Sequence, residues 1–301
     1  TMKHQIRKVL SVLLAVLLFA GVFSGCGKKD SGVVRIATKP MTEQFILSEM
    51  LAQLIEQDTG LTVEITKGIG GGTTNIHPAL LKGDFDLYPE YTGTAWAFVV
   101  KREDVPDDDT LYAGLQEAYQ KLGLKWTGLY GFNNTFALAV RRDVAEQYGI
   151  ETYSDIAKVS PDLVFGANPD FFEKADGFPH LAEAYGMNFK STSDIDIGLK
   201  YKALENGDID VTNAFTTDAQ LSVADITLPT DDKHLFTNYY CGTVVRMDTL
   251  EKHPELEPVL EKMNGLITDA EMASMNYQVE VENRDEKEVA KEFLTSKGLL
   301  K

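Results

Sequence analysis

The spacing of apolar residues changes repeatedly along the chain between the two-residue period of a strand and the longer period of an amphipathic helix. Thr42 to Gln57 has helical spacing, and Leu61 to Thr66 alternates as a strand does. Further strands are predicted over 33–38, 135–140, 163–166, 209–214 and 241–246. Further helices are predicted up to 83 and over 108–122, 143–148, 179–185, 195–206, 254–266, 269–281 and 287–296. This alternation predicts an α/β fold with mostly parallel sheets and helices on both faces.

Two segments, 79–92 and 203–216, have nearly the same pattern. Each passes from a helix-like tail through Gly-Asp into an apolar-Asp-apolar strand, and each ends in an aromatic residue followed by Thr. The aromatic residues are Tyr91 and Phe215. One interpretation is that common turn chemistry produced the match by chance. The other is that two similar lobes each present a ring at the carboxyl end of a strand, where α/β sheets bind ligands.

Two of the predicted strands are candidates for crossing between these lobes. The first lobe is expected to comprise 33–134 and 241–301, and the second 141–238. The crossings are then 135–140 and 239–246. Two crossings permit hinge closure around a ligand.

The first 26 residues differ in character from the rest. A basic start is followed by an uncharged run from Val9 to Phe23, and the segment ends in Ser24-Gly25-Cys26. This run is short for a membrane-spanning helix and is typical of an export signal. The ending resembles a bacterial lipobox, which predicts lipidation of Cys26 and a polar tether over 27–32. An ordinary signal with an incidental cysteine is the alternative.

Composition and motifs exclude several functions. The 301 residues carry a net charge of −17, which argues against a nucleic-acid partner. The five histidines lack metal-ligand spacing, and the glycine-rich loop at 68–72 lacks the Lys and Ser or Thr of a phosphate-binding loop. We therefore expect no metal and no cofactor. The two matching acids Asp86 and Asp210 are expected to be structural, which leaves Glu90 as the better-placed acid of a hypothetical hydrolase.

Three motifs resemble one known family. They are Lys39-Pro40-Met41-Thr42-Glu43-Gln44, Tyr88-Pro89-Glu90-Tyr91-Thr92-Gly93-Thr94 and Asn133-Asn134-Thr135-Phe136. The chain resembles the substrate-binding lipoproteins of osmoprotectant ABC importers, which bind glycine betaine, carnitine and choline. The resemblance covers essentially all of the chain after the tether. It implies a two-lobed periplasmic-binding-protein fold, type II-like, that closes on a quaternary ammonium inside an aromatic box.

The resemblance also implies the ligand-binding residues. The box positions match Tyr91, Phe136, Phe215 and Tyr240, and the residues that hold the other end of the ligand match Gln44 and Thr94. Phe136 and Phe215 replace tyrosines of the family, which keeps the aromatic faces but removes two hydroxyls. Thr94 is neutral where an acid would suit choline. We therefore expect a zwitterion that carries a carboxylate, with a bulkier betaine such as ergothioneine as the alternative.

These features together predict an extracytoplasmic, lipid-anchored binding protein with no enzymatic activity. Its expected partners are a small quaternary-ammonium ligand, the permease subunits of an ABC importer and, through the lipid anchor, the membrane of a bacterium. Two alternatives remain at this point: an extracytoplasmic hydrolase that uses Glu90 or Asp218, and a sensory binding domain that acts on a partner protein.

Overall fold

The computed structural model describes residues 32–175, 177–196 and 198–301. Residues 34–301 form one compact unit. The predicted export signal, the predicted lipidation site Cys26 and all of the predicted tether except Gly32 lie outside the described residues. Within the described residues, no helix has both the length and the apolar character needed to cross a membrane.

The strands form two five-stranded sheets. The first sheet has the order β2-β1-β3-β10-β4, and the second has the order β7-β6-β8-β5-β9. The strands of the first sheet are β1 (Val33–Ala37), β2 (Thr62–Thr66), β3 (Leu87–Tyr91), β4 (Leu124–Asn133) and β10 (Tyr240–Arg246). Those of the second are β5 (Phe136–Arg141), β6 (Val164–Ala167), β7 (Ser191–Asp194), β8 (Val211–Phe215) and β9 (Ile226–Thr227).

The prediction of mostly parallel sheets needs correction, because both sheets are mixed. β1 pairs with β3 in parallel, as β6 does with β7 and β8. β10 runs antiparallel to both β3 and β4, and β5 runs antiparallel to both β8 and β9. β5 and β10 are the strands at which the chain enters each sheet from the other one. Strands that arrive in this way are not constrained by a right-handed βαβ connection to be parallel.

The predicted crossings at 135–140 and 239–246 coincide with β5 and β10, each of which belongs to one sheet. The chain therefore passes between the sheets just before each of these strands. The first passage lies at 134–135, and the second lies within 228–239. Their backbones are hydrogen-bonded to each other, since Asn134 N donates to Tyr239 O at 3.1 Å.

The helices cover both faces of each sheet, as predicted. Tyr88 and Val244 pack with the helices on one face of the first sheet, whereas Leu87 and Val245 pack with those on the other. This division follows from the alternation of side chains along a strand. The helices are α1 (Thr42–Thr59), α2 (Thr73–Lys82), α3 (Thr92–Ala95), α4 (Asp108–Lys121), α5 (Arg142–Tyr148), α6 (Tyr153–Val159), α7 (Pro169–Glu173), α8 (Phe178–Tyr185), α9 (Lys200–Asn206), α10 (Met247–Lys252), α11 (Leu256–Leu260), α12 (Asp269–Glu280) and α13 (Glu286–Ser296).

Two predicted helices are shorter than expected. The segment 195–206 is helical only from Lys200, and the segment 254–266 forms α11 followed by a 3₁₀ turn, Glu261–Met263. The ten-residue strand β4 was not predicted at all. Gly128 and Gly131 interrupt its apolar pattern, and both have positive φ angles, of 113° and 118°. A Cβ on Gly242 would lie 2.3 Å from the carbonyl oxygen of Gly128, so β10 and β4 approach too closely there for a side chain.

Candidate functional site

A cavity of about 670 Å³ lies between residues of the two sheets. This volume falls in the range of small-molecule sites. The first sheet, its flanking helices and loops and the end of the passage before β10 contribute Lys39, Pro40, Met41, Thr42, Glu43, Tyr91, Thr94, Tyr239, Asn276 and Glu280. The second sheet and the passage before it contribute Asn134, Phe136, Phe215, Thr217, Asp218 and Ala219. Its walls therefore combine aromatic rings with polar and charged groups.

Four of the predicted ligand-binding residues line this cavity: Tyr91, Thr94, Phe136 and Phe215. Tyr91 ends β3 and Phe215 ends β8, as the matching segments predict. Phe136 is the first residue of β5 and pairs directly with Phe215 in the antiparallel ladder. The two sheets therefore bring these side chains to one place through equivalent strand ends.

Phe136 and Phe215 form an aromatic pair on the second-sheet side of the cavity. Their ring centroids are 4.8 Å apart, and Phe236 lies 5.1 Å from Phe136 on the centroid distance. Phe215 keeps 38% of its surface exposed, which is unusual for so large an apolar side chain at the end of a buried strand. Phe136 also packs against the core of the second sheet, and together with Phe215 it presents an aromatic surface to the cavity.

Tyr240 does not line this cavity, and its neighbour Tyr239 does. Tyr240 lines a second cavity, of about 330 Å³, together with Asp108 and Tyr112. Adjacent residues of an extended chain point to opposite sides, so a shift of one position exchanges the two rings. The Tyr239 ring packs on Gly93, where an added Cβ would lie 2.8 Å from it. Of the dipeptide that the motif identified, Tyr239 lines the larger cavity and Tyr240 lines the smaller one.

Gln44 also lies outside the cavity lining. Its side chain is fully buried, its Oε1 accepts a hydrogen bond from Lys39 N, and its Nε2 donates to Pro89 O, both at 3.3 Å. Gln44 therefore links the turn that follows β1 with strand β3. Thr94, its predicted companion, lines the cavity.

Sequence reasoning missed Glu43, whose buried carboxylate joins four segments of the chain. Oε1 accepts hydrogen bonds from Tyr91 Oη and from Asn134 Nδ2, the latter at 2.7 Å. Oε2 accepts from Thr217 Oγ1 at 2.9 Å and from Asn276 Nδ2 at 3.3 Å. Burial raises the pKa of Glu43, and the four donors oppose this rise. A possible signal was its place in the first turn of the 18-residue helix α1, where the helix dipole favours an anion.

Lys39 and Glu90 form a buried ion pair beside Tyr91. Glu90 is fully buried and also accepts hydrogen bonds from Thr73 Oγ1, Tyr88 Oη and the backbone N of Tyr91, at 2.6 to 2.7 Å. Lys39 Nζ lies 4.9 Å from the centroid of the Tyr91 ring. Because Glu90 is enclosed by donors and does not line the cavity, its position does not favour the hydrolase hypothesis.

The side chains of the described residues do not support metal binding. Within residues 32–175, 177–196 and 198–301, no group of three or more His, Cys, Asp or Glu side chains is placed to hold a metal ion. The chemistry that the cavity offers is therefore aromatic and electrostatic.

Two α/β sheets joined by two passages, with a cavity of ligand size between them, define a solute-binding protein of the periplasmic-binding-protein class. The chain belongs to the family described as the substrate binding domain of the ABC-type glycine betaine transport system, whose model matches residues 32–296. A crystal structure of a glycine betaine/carnitine/choline ABC transporter is 31% identical, with a TM-score of 0.84, over 88% of this chain and 99% of that one. The fold predicted from the resemblance is thus confirmed.

Two curated relatives differ in what their names say they bind. The ergothioneine transport permease/ergothioneine binding protein EgtU of Helicobacter pylori (strain G27) is 46% identical over 265 residues. The match covers 88% of this chain and 47% of that protein, so the chain spans about half the length of this relative. The carnitine transport binding protein OpuCC of Listeria monocytogenes serotype 1/2a (strain 10403S) is 34% identical over 97% of both chains.

Proposed function

We propose that this protein captures a quaternary-ammonium betaine outside the cytoplasm and delivers it to the permease of an ABC importer. The observation that carries the proposal is the aromatic lining of the 670 Å³ cavity. Phe136 and Phe215 lie on the side of the second sheet, and Tyr91 and Tyr239 lie on the side of the first. These four residues are the proposed aromatic box, with Tyr239 in the position that the family resemblance assigned to Tyr240.

Aromatic faces suit this ligand for a physical reason. A trimethylammonium group has no N–H or O–H to donate, so ordinary hydrogen bonds cannot recognise its charge. A cation over an aromatic face gains about 0.5 to 2 kcal/mol per ring, and more rings add to this gain. The carboxylates of Glu43, Asp218 and Glu280 line the same cavity and favour a positive charge there.

The proposed ligand class is a zwitterion that joins the trimethylammonium to a carboxylate. Thr94 lines the cavity as a neutral hydroxyl. It does not repel a carboxylate, as an acid at that position would. Glycine betaine and carnitine fit this description. So does ergothioneine, which the 46% identical Helicobacter relative binds according to its name.

Ligand capture is proposed to involve closure of two lobes about the passages. The lobes would be 33–134 with 241–301, and 141–238, with the moving residues at 134–135 and 228–239 rather than within β5 and β10. Closure would affect the contacts of Glu43, because Thr217 of the second lobe donates a hydrogen bond to its carboxylate. Lipidation of Cys26 would hold the protein at the membrane beside its permease.

Isothermal titration with a panel of ligands tests the proposal. The panel is glycine betaine, carnitine, choline, proline betaine and ergothioneine. We expect at least one carboxylate-bearing betaine to bind. Tyr91→Ala should then lose most of that affinity, whereas Tyr91→Phe should keep the aromatic contribution. Tyr130→Phe is the control, because the Tyr130 hydroxyl is hydrogen-bonded to Thr243 and Tyr130 does not line the cavity. The proposal fails if no trimethylammonium compound binds.

The absence of turnover is part of the proposal. The relatives named above are binding and transport proteins by their names. Incubation of the protein with choline esters should release no choline above the uncatalysed rate. Hydrolysis that disappears in Glu90→Gln or Asp218→Asn would instead support the hydrolase.

A further inference from the structure

Asp218 carries the charge on the second-sheet side of the cavity. The other described lining residues on that side are neutral: Asn134, Phe136, Phe215, Thr217 and Ala219. Asp218 lies three residues after Phe215, whose backbone N donates to Asp218 Oδ2 at 3.1 Å. The carboxylate is thus fixed next to the Phe136–Phe215 pair. The electrostatic potential at these rings therefore depends on Asp218 and on any charge that lies close behind it.

A buried ammonium lies behind Asp218. Lys200 Nζ is 3.7 Å from Asp218 Oδ2 and donates to the backbone oxygen of Asn213 in β8 at 2.7 Å. The side chain of Lys200 is 4% exposed and does not line the cavity, whereas that of Asp218 is 28% exposed and does. Tyr201 Oη also donates to Asp218 Oδ2, at 2.8 Å. All of these contacts use Oδ2, so none of them occupies Oδ1 of Asp218.

A lysine at this position is unfavourable for the helix that it begins. Lys200 is the first residue of α9, and the dipole of a helix disfavours a cation at that end. Burial lowers the pKa of the Lys200 ammonium, and the nearby Asp218 carboxylate opposes this decrease. A buried charge is costly unless it is paired. The ammonium and the carboxylate therefore act as one electrostatic unit, whose negative end lies towards the cavity.

We infer that Lys200 is a positioning residue that holds Asp218 beside Phe136 and Phe215 and offsets part of its negative charge. This inference rests on the proposed function. The wall then attracts the trimethylammonium group of a ligand, but it favours a net positive charge less strongly than a lone carboxylate would. Because Lys200 is buried, salt in the solvent screens its effect on Asp218 only weakly.

The ratio of the choline affinity to the glycine betaine affinity tests this inference. The two ligands share the trimethylammonium group, but choline is a cation overall and glycine betaine is neutral overall. Titration calorimetry measures both affinities, by displacement of glycine betaine where choline binds weakly. In Lys200→Met, Asp218 loses its counter-charge, and the ratio should rise by about threefold or more above that of the wild type. If Lys200 only stabilised the fold, both affinities would change together and the ratio would stay the same.

Further variants identify the cause of the change. Asp218→Asn should lower the ratio, because the Lys200 charge then acts on the cavity without its carboxylate. In Lys200→Met with Asp218→Asn neither charge remains, and the ratio should fall between those of the two single variants. Lys200→Gln keeps a donor to Asn213 O and replaces Lys200→Met if that variant does not fold. Lys202→Met is the control, because Lys202 lies on the same helix, is exposed and pairs with Glu205, and its ratio should match the wild type.

The outcomes separate this inference from the proposed function. A ratio that is unchanged or lower in the folded Lys200 variant overturns the role of Lys200 and leaves the proposed function in place. A ratio in the double variant that equals that of Lys200→Met shows that Asp218 has no part in the effect, and it overturns the inference in the same way. Absence of binding by glycine betaine, by choline and by the rest of the betaine panel overturns the proposed function and this inference with it.

Discussion

Asp86 and Asp210 make the same bond in the two sheets. Asp86 Oδ2 accepts the backbone N–H of Arg35 in β1 at 2.7 Å, and Asp210 Oδ2 accepts the N–H of Val164 in β6 at 2.8 Å. Each acid thus joins the strand that follows it to the neighbouring parallel strand. Their backbone carbonyls are equivalent as well, since each accepts from the last residue of the antiparallel neighbour, Arg246 N or Arg141 N, at 3.0 Å.

This equivalence predicts a structural role for both acids. Asp86→Ala and Asp210→Ala should each lower the free energy of unfolding by about 1.5 to 3 kcal/mol, because a backbone donor loses a charged acceptor. Chemical denaturation measures the loss. Ligand affinity of the folded fraction should stay within about threefold of the wild type, since neither acid lines the cavity.

Each variant has a control in its own segment. Asp84 and Asp208 follow Gly83 and Gly207 directly and are exposed. Asp84→Ala and Asp208→Ala should change the unfolding free energy by less than about 0.5 kcal/mol. If the alanine variants of Asp84 and Asp208 lowered the free energy of unfolding as much as those of Asp86 and Asp210, the structural interpretation would be contradicted.

The matching segments made the placement of Tyr91 and Phe215 predictable from sequence. In both, a glycine ends the helix with a positive φ angle, 87° at Gly83 and 77° at Gly207, and the strand that follows carries its aromatic residue to the same edge. The glycine turn and the strand after it depend only on consecutive residues. It therefore survives as a sequence pattern even where the rest of the two lobes differs.

Features that depend on distant segments were not predictable. Glu43 receives donors from residues as far away as Asn276, so nothing near it in the sequence marks it as a meeting point. The choice between Tyr239 and Tyr240 depends on where β10 begins, and strand boundaries shift by one residue without any change in composition. β4 was missed because Gly128 and Gly131 interrupt its pattern, and the reason for them is distant: an added Cβ would lie 3.1 Å from Glu261 Oε2 and 2.7 Å from Ile267 O, respectively.

The exchange of Tyr239 for Tyr240 gives a direct prediction. Tyr239→Ala should weaken betaine binding by about two- to thirtyfold, which is the loss of one cation–aromatic contact. Tyr240→Ala should leave the affinity within about twofold, because its ring lines the second cavity. Titration of both variants with the best ligand of the panel decides the matter. If Tyr240→Ala weakened binding more than Tyr239→Ala, Tyr240 rather than Tyr239 would belong to the aromatic box.

A substitution at Gly93, on which the Tyr239 ring packs, tests the role of Tyr239 independently. Gly93→Ala would place a Cβ 2.7 Å from the carbonyl oxygen of Asn238 and 2.8 Å from the Tyr239 ring. The ring and the passage before β10 must then shift. We expect weaker binding from Gly93→Ala, whereas Gly70→Ala, where an added Cβ would have no atom within 4 Å, should leave the affinity unchanged.

Phe215 offers a variant that separates binding from stability. Because 38% of its surface is exposed, Phe215→Ala should lower the melting temperature less than truncation of a fully buried phenylalanine would. The affinity should fall by about two- to thirtyfold if the ring faces the trimethylammonium. Phe98→Ala is the control, since Phe98 is 59% exposed and lies outside the cavity lining. Equal affinities for the two variants would show that Phe215 is not in contact with the ligand.

The buried carboxylate of Glu43 predicts a pH dependence of stability with an unusual sign. Burial raises its pKa in the folded state above the ordinary value of 4.5, so the folded protein holds this proton more tightly than the unfolded chain does. The contribution of Glu43 to stability is therefore fully present below the unfolded pKa and declines as pH rises through the raised folded pKa. Most carboxylates in ion pairs show the opposite sign.

Comparison with Glu43→Gln isolates this effect, because glutamine does not titrate. The difference in unfolding free energy, wild type minus variant, should be most positive below the ordinary pKa of 4.5 and should decrease as the pH rises above it. Glu117→Gln is the control: Glu117 is exposed and pairs with Lys121, which lowers its pKa, so its difference should change in the other direction and only slightly. A difference for Glu43 that is flat with pH would mean that the four donors offset the whole cost of burying its charge. In that case the pKa of Glu43 is the same in the folded and unfolded states, and Thr217 and Asn134 donate to an ionised Glu43 at neutral pH.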